Sequence, residues 1–176
     1  MSVVDWQIPL VISAVVFAAF MIFRLRPVAS GEGRASAAAL REAKQRASAA
    51  ADDDARAAAL ADAGDACARL RRFNAAVAFY MRSLRTKPAS KTIAERAANA
   101  LADRPAALEK LMWRFLATTS YEPPTREAAL VGLRALAQSY AKRPRFQPRQ
   151  RALEHVLAAL GEPVSVEVGK PTSASR

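Results

Sequence analysis

The chain holds one cysteine and one histidine in 176 residues. A lone Cys67 excludes an internal disulfide, and a lone His155, with Glu154 beside it, leaves no set of His and Cys at zinc-ligand spacing. Glycine is scarce, six in all, and neither a glycine-rich phosphate loop, a Rossmann fingerprint nor a Gly-x-Ser-x-Gly nucleophile turn is present. The acidic triplet Asp52–Asp54 lacks the glycine and distal glutamate of a calcium loop, so it reads as helix capping. Alternating strands are missing too; the best candidate, PVSVEV at 163–168, stands near the end of the chain. With no nucleophile, metal set or cofactor loop to name, the sequence argues against an enzyme and implies no cofactor and no metal.

What remains is rich in alanine, leucine and arginine. Hydrophobic residues make up 52% of the chain and aromatics only 7%, a composition suited to helices that approach closely. The fold class expected is all-α. A formal net charge of +11 makes an acidic partner plausible, be it protein, lipid headgroup or nucleic acid.

One apolar run stands out. From Trp6 to Phe23 the segment WQIPLVISAVVFAAFMIF carries no charge and as a helix would extend about 27 Å, which predicts a transmembrane helix over 6–23. Trp6 suits one interface, and Phe23, Arg24 and Arg26 the other. Basic residues follow the run and only Asp5 precedes it, so the positive-inside rule predicts a single-pass protein with its N-terminus outside and its helical domain in the cytoplasm. A cleaved signal peptide would want its basic residues before the run, and a core helix would be amphipathic.

Beyond this, PVASGEG at 27–33 reads as a joint, and 36–51 as an alanine-rich helix, either an exposed stalk or an outer helix of the domain; together 24–54 form a basic linker region. Three helical pairs follow across 55–160. They are expected at about 55–70 with 74–86, 91–102 with 105–118, and 125–141 with 148–160, punctuated by Pro88, Pro105, Pro123 and Gly161. Residues 161–176 are polar and expected to be disordered.

The first pair resembles a tetratricopeptide repeat. Leu60, Ala63, Gly64 and Cys67 fall at the apolar, small and aromatic positions of its first helix. Phe73, Ala76, Tyr80, Ser83 and Pro88 fall at those of the second. Cys67 and Ser83 depart mildly from the family pattern. The third pair follows with Leu133, Leu136, Ala137 and Tyr140, then Ala152, Val156 and Ala159 if its RPRFQP turn is longer. The middle pair agrees only at Ala98, Ala107 and Leu111, with Leu101 at the aromatic position and Trp113 and Phe115 outside the pattern. An unrelated alanine-rich bundle is the plainer alternative.

The resemblance implies an array of hairpins with a protein-binding groove on the first helix of each pair. Carried onto this chain, the groove positions are Asp65 and Arg69, then Glu95, Asn99 and Asp103, then Arg134, Gln138 and Lys142. The function expected is therefore a membrane-anchored adaptor or scaffold that binds a protein partner. A basic helical domain binding anionic lipid or nucleic acid, or a purely structural accessory subunit of a membrane complex, are the alternatives. Cations crowd 69–96 and 142–151, yet few aromatics are interleaved with them for base stacking, which disfavours nucleic acid.

Overall fold

The computed structural model describes residues 7–29, 31–120 and 122–160, with side chains 9–21 alone described in the first helix. Among these residues the protein is all helical. Eight α-helices run α1 Gln7–Ala29, α2 Gly31–Ala49, α3 Asp53–Arg69, α4 Phe73–Thr86, α5 Lys91–Leu101, α6 Pro105–Thr118, α7 Pro123–Ala141 and α8 Gln147–Ala159, with one 3-10 turn at Pro144–Phe146. The chain divides into two compact units, Met1–Thr86 and Lys87–Arg176.

The transmembrane expectation is corrected by the structure. Among the described residues no helix is long and apolar enough to cross a membrane. From Gln7 on, the apolar run lies within α1, a single helix of 23 residues. The rod also continues past the apolar run, carrying Arg24, Arg26 and Pro27 in one helix. The single-pass topology, with the N-terminus outside and the helical domain cytoplasmic, falls with the span. Trp6 lies outside the described residues, as do the side chains of Phe23, Arg24 and Arg26. Residues 161–176, expected to be disordered, also lie outside them. The expected joint is helical at 27–29 and 31–33, with Ser30 outside the described residues.

In the first unit α3 is the middle helix, packed against α2 on one side and α4 on the other. Its start is set by Asp52, whose Oδ1 accepts the Ala55 amide hydrogen at 2.6 Å, with Asp53 and Asp54 in the first turn. Side-chain capping and a favourable dipole interaction are thus both present. Every buried residue of α3 is small: Ala57, Ala59, Ala61, Ala63, Gly64, Ala66 and Cys67. Each buried methyl contributes little, about 0.8 kcal/mol, so cohesion depends on how closely the neighbours approach. From α2, the residues Gly33, Ser36, Leu40, Ala43 and Ala47 are buried at alternating spacings of three and four, one stripe down one face. The 36–51 segment is therefore an outer helix of this unit rather than a stalk.

On the other side, α4 inserts Tyr80 over Gly64. A Cβ at position 64 would meet the tyrosine ring at 2.9 Å, closer than carbon atoms pack. The Tyr80 hydroxyl donates to the Asp65 carboxylate, and the Ser83 hydroxyl donates to the Ala57 carbonyl at 2.7 Å. Both hydroxyls lie on fully buried residues, so these bonds remove the desolvation penalty that burial would otherwise carry. The α3–α4 turn is a Schellman closure: Arg71 N–H reaches Ala68 O and Arg72 N–H reaches Cys67 O, at 2.9 and 2.8 Å. Arg71 takes φ 58°, the left-handed conformation that usually falls to glycine.

In the second unit α7 is central, packed by α5, α6 and α8. Leu101, Leu108, Leu111, Met112, Phe115, Leu133, Leu136 and Leu153 form its core. Phe115 is thus core although it lies outside the repeat pattern, while Trp113 is 43% exposed. Gly132 admits the Met112 side chain. Ser90 caps α5 through the Ile93 amide at 3.3 Å, and prolines 105 and 123 open α6 and α7. Arg126 donates to the Leu160 carbonyl, tying the start of α7 to the end of α8.

Two stability changes follow. Gly64→Ala should destabilise the first unit by about 1–3 kcal/mol through overpacking against a ring that cannot rotate away. Arg71→Gly should stabilise it by about 1 kcal/mol by removing the left-handed penalty. Chemical denaturation of both variants beside the parent checks the two signs.

Candidate functional site

The eight groove positions expected from the resemblance are carried by both units. Asp65 and Arg69 belong to α3. Asp65 is half-buried and accepts the Tyr80 hydroxyl, so its carboxylate is engaged in holding the hairpin; Arg69 is exposed in the last turn. The other six lie in the second unit and all are exposed. Glu95 and Asn99 sit on α5, with Asp103 just past its end; Arg134 and Gln138 sit on α7, with Lys142 as its C-cap.

Three contacts fix α5 and α7 side by side and parallel. Lys91 Nζ lies 2.5 Å from Glu127 Oε2 at the leading ends. Toward the trailing ends Ser139 Oγ donates to the Ala102 carbonyl at 3.0 Å, and Arg143 donates to the Asp103 carbonyl at 3.1 Å. The offset in sequence is similar at each contact, so the Glu95–Asp103 row runs alongside the Arg134–Lys142 row. The result is a two-helix face mixed in charge. The Lys91 hydrogen bond and charge hold the Glu127 carboxyl below the usual glutamate range. Both side chains of that pair are more than half exposed, so its role is registration rather than stability.

Below this face, Glu109 pairs with Arg149 at 2.9 Å, next to Tyr140, whose ring centroid lies 5.2 Å from that of Phe146. Tyr140 is 2% exposed and its hydroxyl has no hydrogen-bond partner among the described residues. Burial first, and then the Glu109 carboxylate, push its pKa up to about 12, with Arg149 opposing. Cys67 is 1% exposed. Burial pushes its thiol pKa up against Lys44 and Arg72, which suits a small packing residue and not a nucleophile. His155 is exposed. Among the described residues no three His, Cys, Asp or Glu side chains are grouped to hold a metal.

The first unit holds a concavity that sequence reasoning missed as a site. Residues of α2, α3 and α4 line a groove of about 560 Å³. Its apolar surface includes Leu60 and Phe79, and its cations are Lys44, Arg56, Arg82 and Arg85. Among the described residues no acidic side chain lines it. Arg82 and Arg85 were visible in the basic cluster at 69–96. Lys44 and Arg56 were not linked to them, because only the three-helix packing joins these positions.

The raised Tyr140 pKa has a definite sign. Between pH about 10 and about 12 the unfolded chain releases this proton while the folded chain keeps it, so stability falls as pH rises through that window, by at most about 2–3 kcal/mol. Tyr140→Phe should flatten that loss and leave stability at neutral pH within about 1 kcal/mol of the parent, since a buried unbonded hydroxyl is removed. Denaturation midpoints across the alkaline range test this. In comparisons with known proteins, no family model, no curated protein and no solved structure matches the chain.

Proposed function

We propose that the chain is a non-enzymatic adaptor, built from tetratricopeptide-like helical hairpins, that binds a protein partner across the α5–α7 face. The observation that carries this reading is the parallel pairing of α5 and α7. It turns two separate rows, Glu95, Asn99 and Asp103 beside Arg134, Gln138 and Lys142, into one continuous exposed face. First helices of successive hairpins lie in this way in stacked repeats. The packing of Gly64 under Tyr80 adds support, because the same two positions carry the resemblance in the first pair.

A face holding both signs of charge discriminates by complementarity. Opposite charges on a partner are favoured in one register, and like charges meeting in the wrong register are penalised. Affinity would come from a few anchored contacts and orientation from the charged rows.

The test is crosslinking in cells with the full chain, comparing the parent with Arg134→Glu/Lys142→Glu. Lys110→Glu, exposed on α6, serves as the control. At least one partner recovered with the parent and the control should fall about tenfold with the double variant. Identical recovery from all three, or equal loss from the control, contradicts the reading.

A further inference from the structure

We infer that the groove of the first unit is a binding site for an acidic peptide segment carrying one apolar anchor side chain. This site is separate in residues from the α5–α7 face and does not rest on it.

The charges come first. Lys44 on α2, Arg56 on α3, and Arg82 and Arg85 on α4 line one groove. None of the four makes an ion pair with a carboxylate of the described residues. Arg46 of the same unit, by contrast, bridges Glu42 and Asp62, at 3.8 and 2.9 Å. Gathering four unmatched cations around one concavity costs repulsion that an acidic occupant would relieve.

The floor comes next. Lys44 Nζ stands 5.6 Å and the Arg82 guanidinium carbon 6.0 Å from the Phe79 ring centroid. Two cations from different helices thus share one aromatic ring. Phe79 and Leu60 are half-buried, which leaves part of each for a guest's apolar side chain. The volume of about 560 Å³ falls in the range of roughly 300–1,000 Å³ typical of ligand sites.

The distribution of donors selects a peptide over a compact phosphate. A phosphate wants donors converging on one point, commonly the free amides at a helix start. Here that position at α3 is filled by Asp52, which accepts the Ala55 amide hydrogen. The Ser48 and Thr86 hydroxyls on the rim donate to their own helices, to Gln45 O and Arg82 O. What is left is four cations spread over three helices around an apolar floor. Carboxylates spaced along a peptide, with one apolar side chain between them, match that spread.

The experiment titrates the full chain with the synthetic peptide Asp-Glu-Asp-Phe-Glu-Asp-Glu by fluorescence anisotropy. The peptide with its Phe replaced by Ala, a lysine-for-acid version, inorganic phosphate and a single-stranded oligonucleotide are run alongside. Arg82→Glu/Arg85→Glu should weaken the parent peptide about tenfold or more, and Arg114→Glu, of the second unit, less than about twofold. Loss of the Phe anchor should weaken it several-fold, and the lysine version should not bind. Circular dichroism confirms that each variant is folded, and Lys44→Glu gives a second reversal from a different helix. The inference is overturned if the peptide does not bind at low salt, or if Arg114→Glu is as damaging as the groove pair. It is equally overturned if phosphate or the oligonucleotide displaces the peptide at matched ionic strength and loses affinity on the same variants.

Discussion

The first unit depends on how near two helices can come. Because α3 buries only alanine, glycine and cysteine, it supplies little apolar area of its own, and the larger side chains of its neighbours must reach its backbone. Gly64 is where that approach is closest, with the Tyr80 ring where a Cβ would stand. The ring's position then sets its hydroxyl on Asp65 and brings Ser83 to the Ala57 carbonyl. α4 is thereby held by one steric fit and two hydrogen bonds along its length. The same seating places Phe79, Arg82 and Arg85 on the side that faces α2, which is how the cationic groove comes to exist.

The second unit answers the same problem differently. Its central helix α7 meets leucines, Met112 and Phe115, so apolar burial carries more of the cohesion and polar contacts carry the register. Lys91 with Glu127, Ser139 with the Ala102 carbonyl and Arg143 with the Asp103 carbonyl lie along the α5–α7 seam. Each contributes little by itself. Together they specify which residues of α5 stand beside which of α7, and this alignment gives the proposed binding face its pattern of charge.

Local signals in the sequence were read well where one residue acts on its own backbone. Asp52, Pro105 and Pro123 mark helix starts by capping or by a missing amide, whereas the Ser90 cap of α5 emerged only with the fold. The α1 reading failed because a charge-free run fixes composition without fixing where a helix ends: the rod passes through Arg24, Arg26 and Pro27. Asp65 was expected in the groove because the resemblance places it there, and its carboxylate accepts the Tyr80 hydroxyl. The left-handed Arg71 was illegible, since arginine carries no signal for positive φ. The groove was illegible for a broader reason: Lys44, Arg56 and Arg82 are far apart in sequence and meet only through packing.

The charge of +11 therefore has a structure. Part of it is matched across helices, as in Arg46 with Asp62 and Arg149 with Glu109, and part is left unmatched around Phe79. The place of α4, and with it Phe79 and the cations Arg82 and Arg85 of that unmatched group, traces back to the seating of Tyr80 on Gly64. The most direct test is a double-mutant cycle on the pair, with Gly64→Ala, Tyr80→Leu and both together measured by chemical denaturation. If the fit is what holds α4, the two losses are strongly non-additive, and the double variant is more stable than their sum by about 1 kcal/mol or more. Additive losses would contradict the account.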